Sequence, residues 1–97
     1  MRHYHRTHIT PARVLAAADE FFPTLGLERT ASQTHGRSYG GPMGAVRLTA
    51  RPEGGHYTFV EVETDQVGES RLDRNVKRFF VQVHRAADPT HTMTAAY

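Results

Sequence analysis

Cysteine is absent from this chain of 97 residues. Its absence excludes a disulfide framework, a thiolate zinc site and a cysteine nucleophile, and it is typical of a reducing compartment. Long apolar stretches are also absent, because the longest uninterrupted one covers residues 14–18, whereas a membrane span needs roughly 20 residues. No apolar stretch follows the basic start as a signal peptide would require. We therefore expect a soluble, unprocessed, cytoplasmic protein that does not bind membranes.

A strong excess of one charge is absent as well. Twelve Lys and Arg stand against ten Asp and Glu, for a formal net charge of +2 and a pI near 9.4. The arrangement of charges, not their total, would therefore decide any attraction to nucleic acid. The length is that of one domain, residues 1–88, and such a short chain buries only about 60 to 65 per cent of its unfolded surface. Self-association would add to that burial.

A first helix is predicted after an opening strand over residues 3–9. Thr10 followed by Pro11 is typical of the N-cap and the first helical position. Apolar residues then recur at steps of three and four from Val14 onward. A proline and Gly26 end this pattern, so the helix is short.

The second helix, predicted over residues 70–87, is the clearest periodic element. Ser70 to Asp73 resembles a capping box in which aspartate replaces the usual glutamate. The apolar side chains that follow fall within about one third of a helical wheel, so this face must cover another element. Residues 89–97 show no period and are predicted to form a flexible C-terminal tail or a short arm that contacts a partner.

Three further strands are predicted between the helices. Residues 27–37 carry threonine, serine and glutamine in place of aliphatic residues, which favours an edge strand. Residues 45–51 and 56–65 alternate around a glycine-containing turn and predict an antiparallel pair. The glycine-rich residues 36–44 are predicted to be a flexible hairpin loop that could cover a small pocket. The order β-α-β-β-β-α predicts an α+β two-layer sandwich, with a four-stranded antiparallel sheet and both helices on one face.

Three segments together resemble the helix-grip proteins of the START and polyketide-cyclase-like (SRPBCC) superfamily: the opening strand with THITPARVLAAADEFFPTLG, the hairpin GAVRLTARPEGGHYTFVEVET and the closing helix SRLDRNVKRFFVQVHRA. The resemblance covers most of the chain and rests on element order and apolar spacing. It implies a last helix that lies across a curved sheet, with a small apolar ligand between them. No catalytic residue and no cofactor carries over.

Any ligand pocket of this kind would lie between the sheet and the final helix. Its predicted lining is Phe21, Phe22, Leu48, Val60, Val76, Phe79 and Phe80. The alternative is that the same side chains fill a core without a cavity.

Three of the seven histidines lie within the first eight residues. On a strand, His3 and His5 leave the same face about 6 to 7 Å apart, so both imidazoles could reach one metal ion. A zinc or nickel site would need a third ligand, such as His56 or the pair Glu61 and Glu63, and no spacing specifies one. We therefore interpret these histidines as polar positions on an exposed strand and predict no metal site.

Alternation along residues 56–65 directs Tyr57 and Phe59 to the sheet face that the helices leave uncovered, beside Arg47 and Arg51. Exposed aromatic rings beside arginines could stack on bases, but the motif of the common RNA-recognition domain is absent. A symmetric homodimer is the commonest way to bury such a patch. We therefore favour a dimer interface over a nucleic-acid interface.

A second charged surface lies on the final helix, opposite its apolar stripe, and comprises Arg71, Arg74, Lys77, Arg78 and Arg85. These residues could bind phosphates or another anion, although exposed helix faces usually carry charges anyway. The leading hypothesis is a small non-enzymatic ligand-binding or interaction module, present as a homodimer. The alternatives are a nucleic-acid-binding protein and a small cyclase- or hydrolase-like enzyme with His56, Glu61 or His84 in a wet pocket.

Overall fold

The computed structural model describes residues 1–87, so the predicted tail over residues 89–97 lies outside the described residues. The elements are β1 (Arg2–Thr7), α1 (Pro11–Phe21), a 3-10 turn (Phe22–Leu25), β2 (Glu28–Gln33), β3 (Gly36–Gly41), β4 (Gly44–Glu53), β5 (Tyr57–Thr64) and α2 (Arg71–Ala87). The sheet is antiparallel with the strand order β1-β5-β4-β3-β2. The predicted α+β fold is confirmed, and β2 is an edge strand as expected, but the sheet has five strands instead of four.

The additional strand is β3, which occupies the glycine-rich segment predicted to be a flexible loop. That prediction is wrong because glycine here permits close packing of the backbone. A Cβ atom on Gly41 would lie only 2.6 Å from the carbonyl oxygen of Gly26. Between the glycines, Tyr39 points into the core and is 1% exposed. The segment is therefore part of the sheet and not a lid.

The helices begin and end at the capping residues that the sequence predicts. Thr10 accepts a hydrogen bond of 3.3 Å from the backbone N–H three residues further on, and Gly26 ends the 3-10 turn in the left-handed conformation with a φ of 81°. At the start of α2, the Ser70 hydroxyl accepts a hydrogen bond of 3.0 Å from the Asp73 N–H. The same hydroxyl donates to the Asp73 carboxylate at 2.5 Å. The predicted capping box is therefore present, with the shorter aspartate bonded to the Ser70 side chain instead of its backbone.

Both helices pack against the same face of the sheet and form one core with it. α1 contacts β3 and β4, whereas α2 contacts β1 and β5. The buried apolar side chains of the two layers are Val14, Leu15, Ala18, Phe22, Val46, Leu48, Ala50, Val60, Val62, Leu72, Val76, Phe79, Phe80 and Val83. Within residues 1–87, no helix covers the other face.

The two N-terminal histidines of β1 do share a face, but it is the face that the helices cover. His3 pairs with Val62 and His5 with Val60 in the register between β1 and β5. Our interpretation of an exposed histidine strand is therefore wrong. Because β1 joins the sheet beside β5, its odd-numbered residues point the same way as the inward valines. The residue between them, Tyr4, points outward and is 53% exposed.

Candidate functional site

The uncovered surface of β1, β5 and β4 is here called the open face. Because side chains alternate along each strand, every second residue of these strands points towards it. Its polar and aromatic members are Arg2, Tyr4, Arg6, Arg47, Thr49, Arg51, Glu53, Tyr57, Phe59, Glu61 and Glu63. All four residues of the predicted partner surface, Tyr57, Phe59, Arg47 and Arg51, lie on it.

An aromatic cluster occupies the middle of the open face. The rings of Tyr4 and Phe59 are stacked with their centres 5.7 Å apart. The guanidinium groups of Arg51 and Arg6 lie 5.2 Å and 5.9 Å from the centre of the Phe59 ring. Tyr57, two residues before Phe59 on β5, is 45% exposed. Tyrosine and arginine are enriched in protein interfaces because they combine large contact area with polar groups.

The open face carries charges of both signs, and most of them form ion pairs with each other. Glu63 accepts hydrogen bonds from Arg2 at 3.0 Å and from Arg47 at 3.2 Å. Arg6 donates two hydrogen bonds, of 2.8 Å and 3.1 Å, to the carboxylate of Glu53. The surface is therefore zwitterionic and not a continuous basic patch.

The depressions on the open face are wide and shallow. One of about 420 Å³ is lined in part by Tyr4, Arg6 and Phe59. Another of about 310 Å³ is lined in part by Arg2 and Glu61. Small-molecule sites normally enclose most of the ligand surface, which a shallow depression does not. This shape fits a macromolecular partner better than a small ligand.

The seven residues predicted to line an apolar ligand pocket lie together at the centre of the core. The ring of Phe22 lies 5.3 Å from that of Phe79 and 5.2 Å from that of Phe21, measured between ring centres. Five of the seven have no exposed surface: Phe22, Leu48, Val60, Val76 and Phe79. A ligand between the sheet and α2 would have to displace these side chains, and its existence stays a prediction.

The five cations predicted to bind anions all lie on α2, away from the open face. Lys77 donates a hydrogen bond of 2.9 Å to Glu69, and this bond lowers the pKa of the Glu69 carboxyl. Arg71, Arg74 and Arg78 are exposed. Together with Arg85, these arginines form a basic ridge along the outer side of α2, on the opposite side of the molecule from the aromatic cluster.

A buried polar network at the junction of β1, β5 and α2 was not predicted. The carboxylate of Asp73, which is 1% exposed, accepts hydrogen bonds from His3 Nε2 at 2.7 Å, from Thr64 Oγ1 at 2.9 Å and from Ser70. Burial alone would raise the pKa of Asp73, but these hydrogen bonds outweigh burial and hold its pKa below the usual value. The aspartate in the capping box was the sequence signal that could have revealed the network.

A second unpredicted network joins α1 to β2 and β3. Asp19 accepts hydrogen bonds from the Tyr39 hydroxyl at 2.7 Å, from Arg37 at 3.1 Å and from Arg29 at 3.3 Å. Burial and the bond to Asp19 raise the pKa of Tyr39. Burial opposes ionisation of Asp19, but the hydrogen bonds from Tyr39 and Arg37 prevail and lower its pKa. The carboxylate therefore anchors α1 to the far edge of the sheet.

The residues considered for catalysis do not meet in one pocket. His56 is exposed in the turn between β4 and β5, Glu61 lies on the open face, and His84 lies on α2. On the helix-covered face, the ring of His5 stacks on Phe80 with centres 5.1 Å apart. Burial, with a smaller effect of His84, lowers the pKa of His5.

Among residues 1–87, no three His, Asp or Glu side chains lie close enough together to hold a metal ion. None of the described helices is both long enough and apolar enough to cross a membrane.

Comparison of the sequence with models of known protein families and with curated proteins finds no match. The helix-grip resemblance therefore rests on element order and apolar spacing, and the relationship stays a prediction.

Proposed function

We propose that the protein is a non-enzymatic interaction module that works as a homodimer, with the open faces of two copies packed against each other. The observation that carries this proposal is the exposed aromatic cluster on β1 and β5 of the uncovered sheet face. Tyr4 is 53% and Tyr57 45% exposed, although large apolar side chains elsewhere on the sheet are buried. Association removes such rings from water and stabilises the complex in proportion to the apolar area buried.

The charge pattern favours a second copy of the chain over a nucleic acid. Glu53, Glu61 and Glu63 lie among the arginines of the open face, so a phosphate backbone laid across it would meet carboxylates. A two-fold symmetric interface can instead use both signs of charge within one patch, because the same surface supplies both partners of each ion pair. The small size of the chain adds to the benefit, since dimerisation buries surface that one short domain cannot bury alone.

The test is sedimentation velocity over a range of protein concentrations. We expect the wild type to be a dimer at micromolar concentrations and the double variant Tyr4→Ser/Tyr57→Ser to dissociate at least about tenfold more readily. Both tyrosines are exposed, so the fold of the single chain should survive.

The matched control is Val67→Ser, which removes a side chain that is 87% exposed in the loop before α2 and outside the open face. It should leave the dimer unchanged. A wild type that stays monomeric at every concentration would show that the proposal is wrong.

A nucleic-acid-binding role is the second candidate, and the basic ridge of α2 favours it. Arg71, Arg74 and Arg78 are exposed on one side of the helix and could contact successive phosphates. Fluorescence anisotropy with a short duplex at increasing salt tests this role. Arg74→Ala and Arg78→Ala should each reduce the salt dependence of log K by about one phosphate contact. Absence of duplex binding at low salt excludes this candidate.

A further inference from the structure

Most charged side chains of the open face are already paired within the chain. Arg2 and Arg47 flank Glu63, and Arg6 is joined to Glu53. Two charged residues of the open face form no ion pair with any residue that the structure describes. They are Arg51 on β4 and Glu61 on β5. They carry opposite charges.

Arg51 and Glu61 are diagonal neighbours on the adjacent strands β4 and β5. In the register between β4 and β5, Thr49 is paired with Glu61 and Arg51 with Phe59. The four residues therefore form a quadrilateral, in which Arg51 and Glu61 lie on one diagonal and Thr49 and Phe59 on the other. The two-fold axis that exchanges the positions of Arg51 and Glu61 lies in the plane of the face and bisects the line between them at right angles. It therefore passes close to Thr49 and Phe59.

We infer that, in the homodimer, Arg51 of each copy pairs with Glu61 of the other across a two-fold axis that passes between these two residues and close to Thr49 and Phe59. This inference rests on the proposed homodimer and specifies how the two open faces meet. It satisfies the rule for a symmetric interface, in which residue i contacts residue j and residue j contacts residue i. The same axis places Phe59 beside its symmetry mate, at the centre of the interface.

Desolvation is the physical reason for this pairing. An interface that buries the open face removes water from Arg51 and Glu61, and an unpaired charge in such a place is strongly unfavourable. The other charges of these strands bring their partners with them, whereas these two form no ion pair within the described chain and would gain one from the second copy. Arg51 is also held over the Phe59 ring, 5.2 Å from its centre, so its planar guanidinium loses little freedom on pairing.

Charge reversal tests this arrangement by sedimentation velocity. In a dimer of Arg51→Glu, the introduced glutamate of each chain would face the native Glu61 of the other. In a dimer of Glu61→Arg, the introduced arginine would face the native Arg51. Each variant alone should dimerise about tenfold more weakly than the wild type or worse. An equimolar mixture of the two variants should recover dimers. In the mixed dimer, the introduced glutamate of one chain meets the introduced arginine of the other, and the native Glu61 of the first chain meets the native Arg51 of the second.

The matched control, Arg78→Glu on the outer side of α2, should dimerise as the wild type does.

The outcomes separate this inference from the proposal beneath it. Recovery of dimers in the mixture, with neither variant dimeric alone, supports the Arg51–Glu61 pairing and excludes misfolding as the cause of dissociation. Variants that dimerise as well as the wild type would overturn the pairing while leaving the open-face dimer in place. A mixture that stays monomeric would also overturn it. A monomeric wild type would remove the homodimer itself.

Discussion

Asp73 shows at the scale of one residue how a carboxylate can join three elements. It belongs to the capping box of α2, yet its oxygens also accept hydrogen bonds from His3 on β1 and Thr64 on β5. A buried carboxylate is stable only when its charge is compensated by donors of this kind. The residue therefore does more than begin a helix, since it fixes α2 over the β1 edge of the sheet.

Replacement of Asp73 by alanine should destabilise the protein by about 3 kcal/mol, because it leaves buried donors without an acceptor. Urea denaturation measures the change in the free energy of unfolding. The control is Glu69→Ala, which removes an exposed carboxylate paired with Lys77. That change should have a much smaller effect, because exposed ion pairs contribute little to stability. Equal effects of the two substitutions would contradict the role of the buried network.

Stability should fall in acid because the fold lowers the pKa of several carboxyls, among them the two that join elements of the core, Asp73 and Asp19. Each group stabilises the native state when ionised. This stabilisation is present above the unfolded-state pKa of about 3.9 and is lost as the pH falls through the lower native value. Urea midpoints measured from pH 6 down to pH 2.5 should therefore drop most steeply below about pH 4. Asp73→Asn should reduce this drop, and an unchanged pH profile in that variant would contradict the assignment.

At the scale of elements, the two helices are specified by residues close to them in the sequence, whereas the strand β3 is not. Caps and apolar periodicity lie within a few residues of each other, so the sequence predicts α1 and α2 correctly. Glycine has two opposite uses, either flexibility in a loop or close approach in a sheet. Only the neighbours decide between them. The glycine-rich segment was therefore predicted as a loop and found as β3.

Two glycines of the β4 hairpins should respond differently to alanine. Gly44 has a φ of 132°, and a Cβ atom there would lie 2.7 Å from Asp65 Oδ1. Gly44→Ala should therefore cost about 2 kcal/mol in stability. For Gly54, nothing lies within 4 Å of an added Cβ, so Gly54→Ala should change stability by less than about 0.5 kcal/mol. The thermal unfolding midpoints of the two variants test this difference, and equal midpoints would contradict it.

At the scale of the whole molecule, both helices lie on one face and the sheet is left open on the other. An antiparallel sheet can expose one face to water when that face is polar. Here the face mixes paired charges with the rings of Tyr4, Tyr57 and Phe59. A partner that covers these rings would complete a second apolar layer, and this is the physical basis of the proposed homodimer.

If the native protein is a dimer whose chains unfold and separate together, Tm should rise with protein concentration. Differential scanning calorimetry at several concentrations measures this dependence. Tyr4→Ser/Tyr57→Ser should unfold at a lower Tm that varies little with concentration. A wild-type Tm that is independent of concentration would contradict dimerisation under those conditions.

The sequence by itself determined the features set by neighbouring residues: the two helices with their caps, the β4–β5 pair, and the outward direction of Tyr57 and Phe59. Tertiary structure decided the features set by distant residues. Pairing of β1 with β5 turned His3 and His5 towards the helix-covered face and brought Tyr4 beside Phe59. Strand pairing joins segments almost 60 residues apart, as with His3 and Val62, and no local periodicity encodes which edge a strand will join.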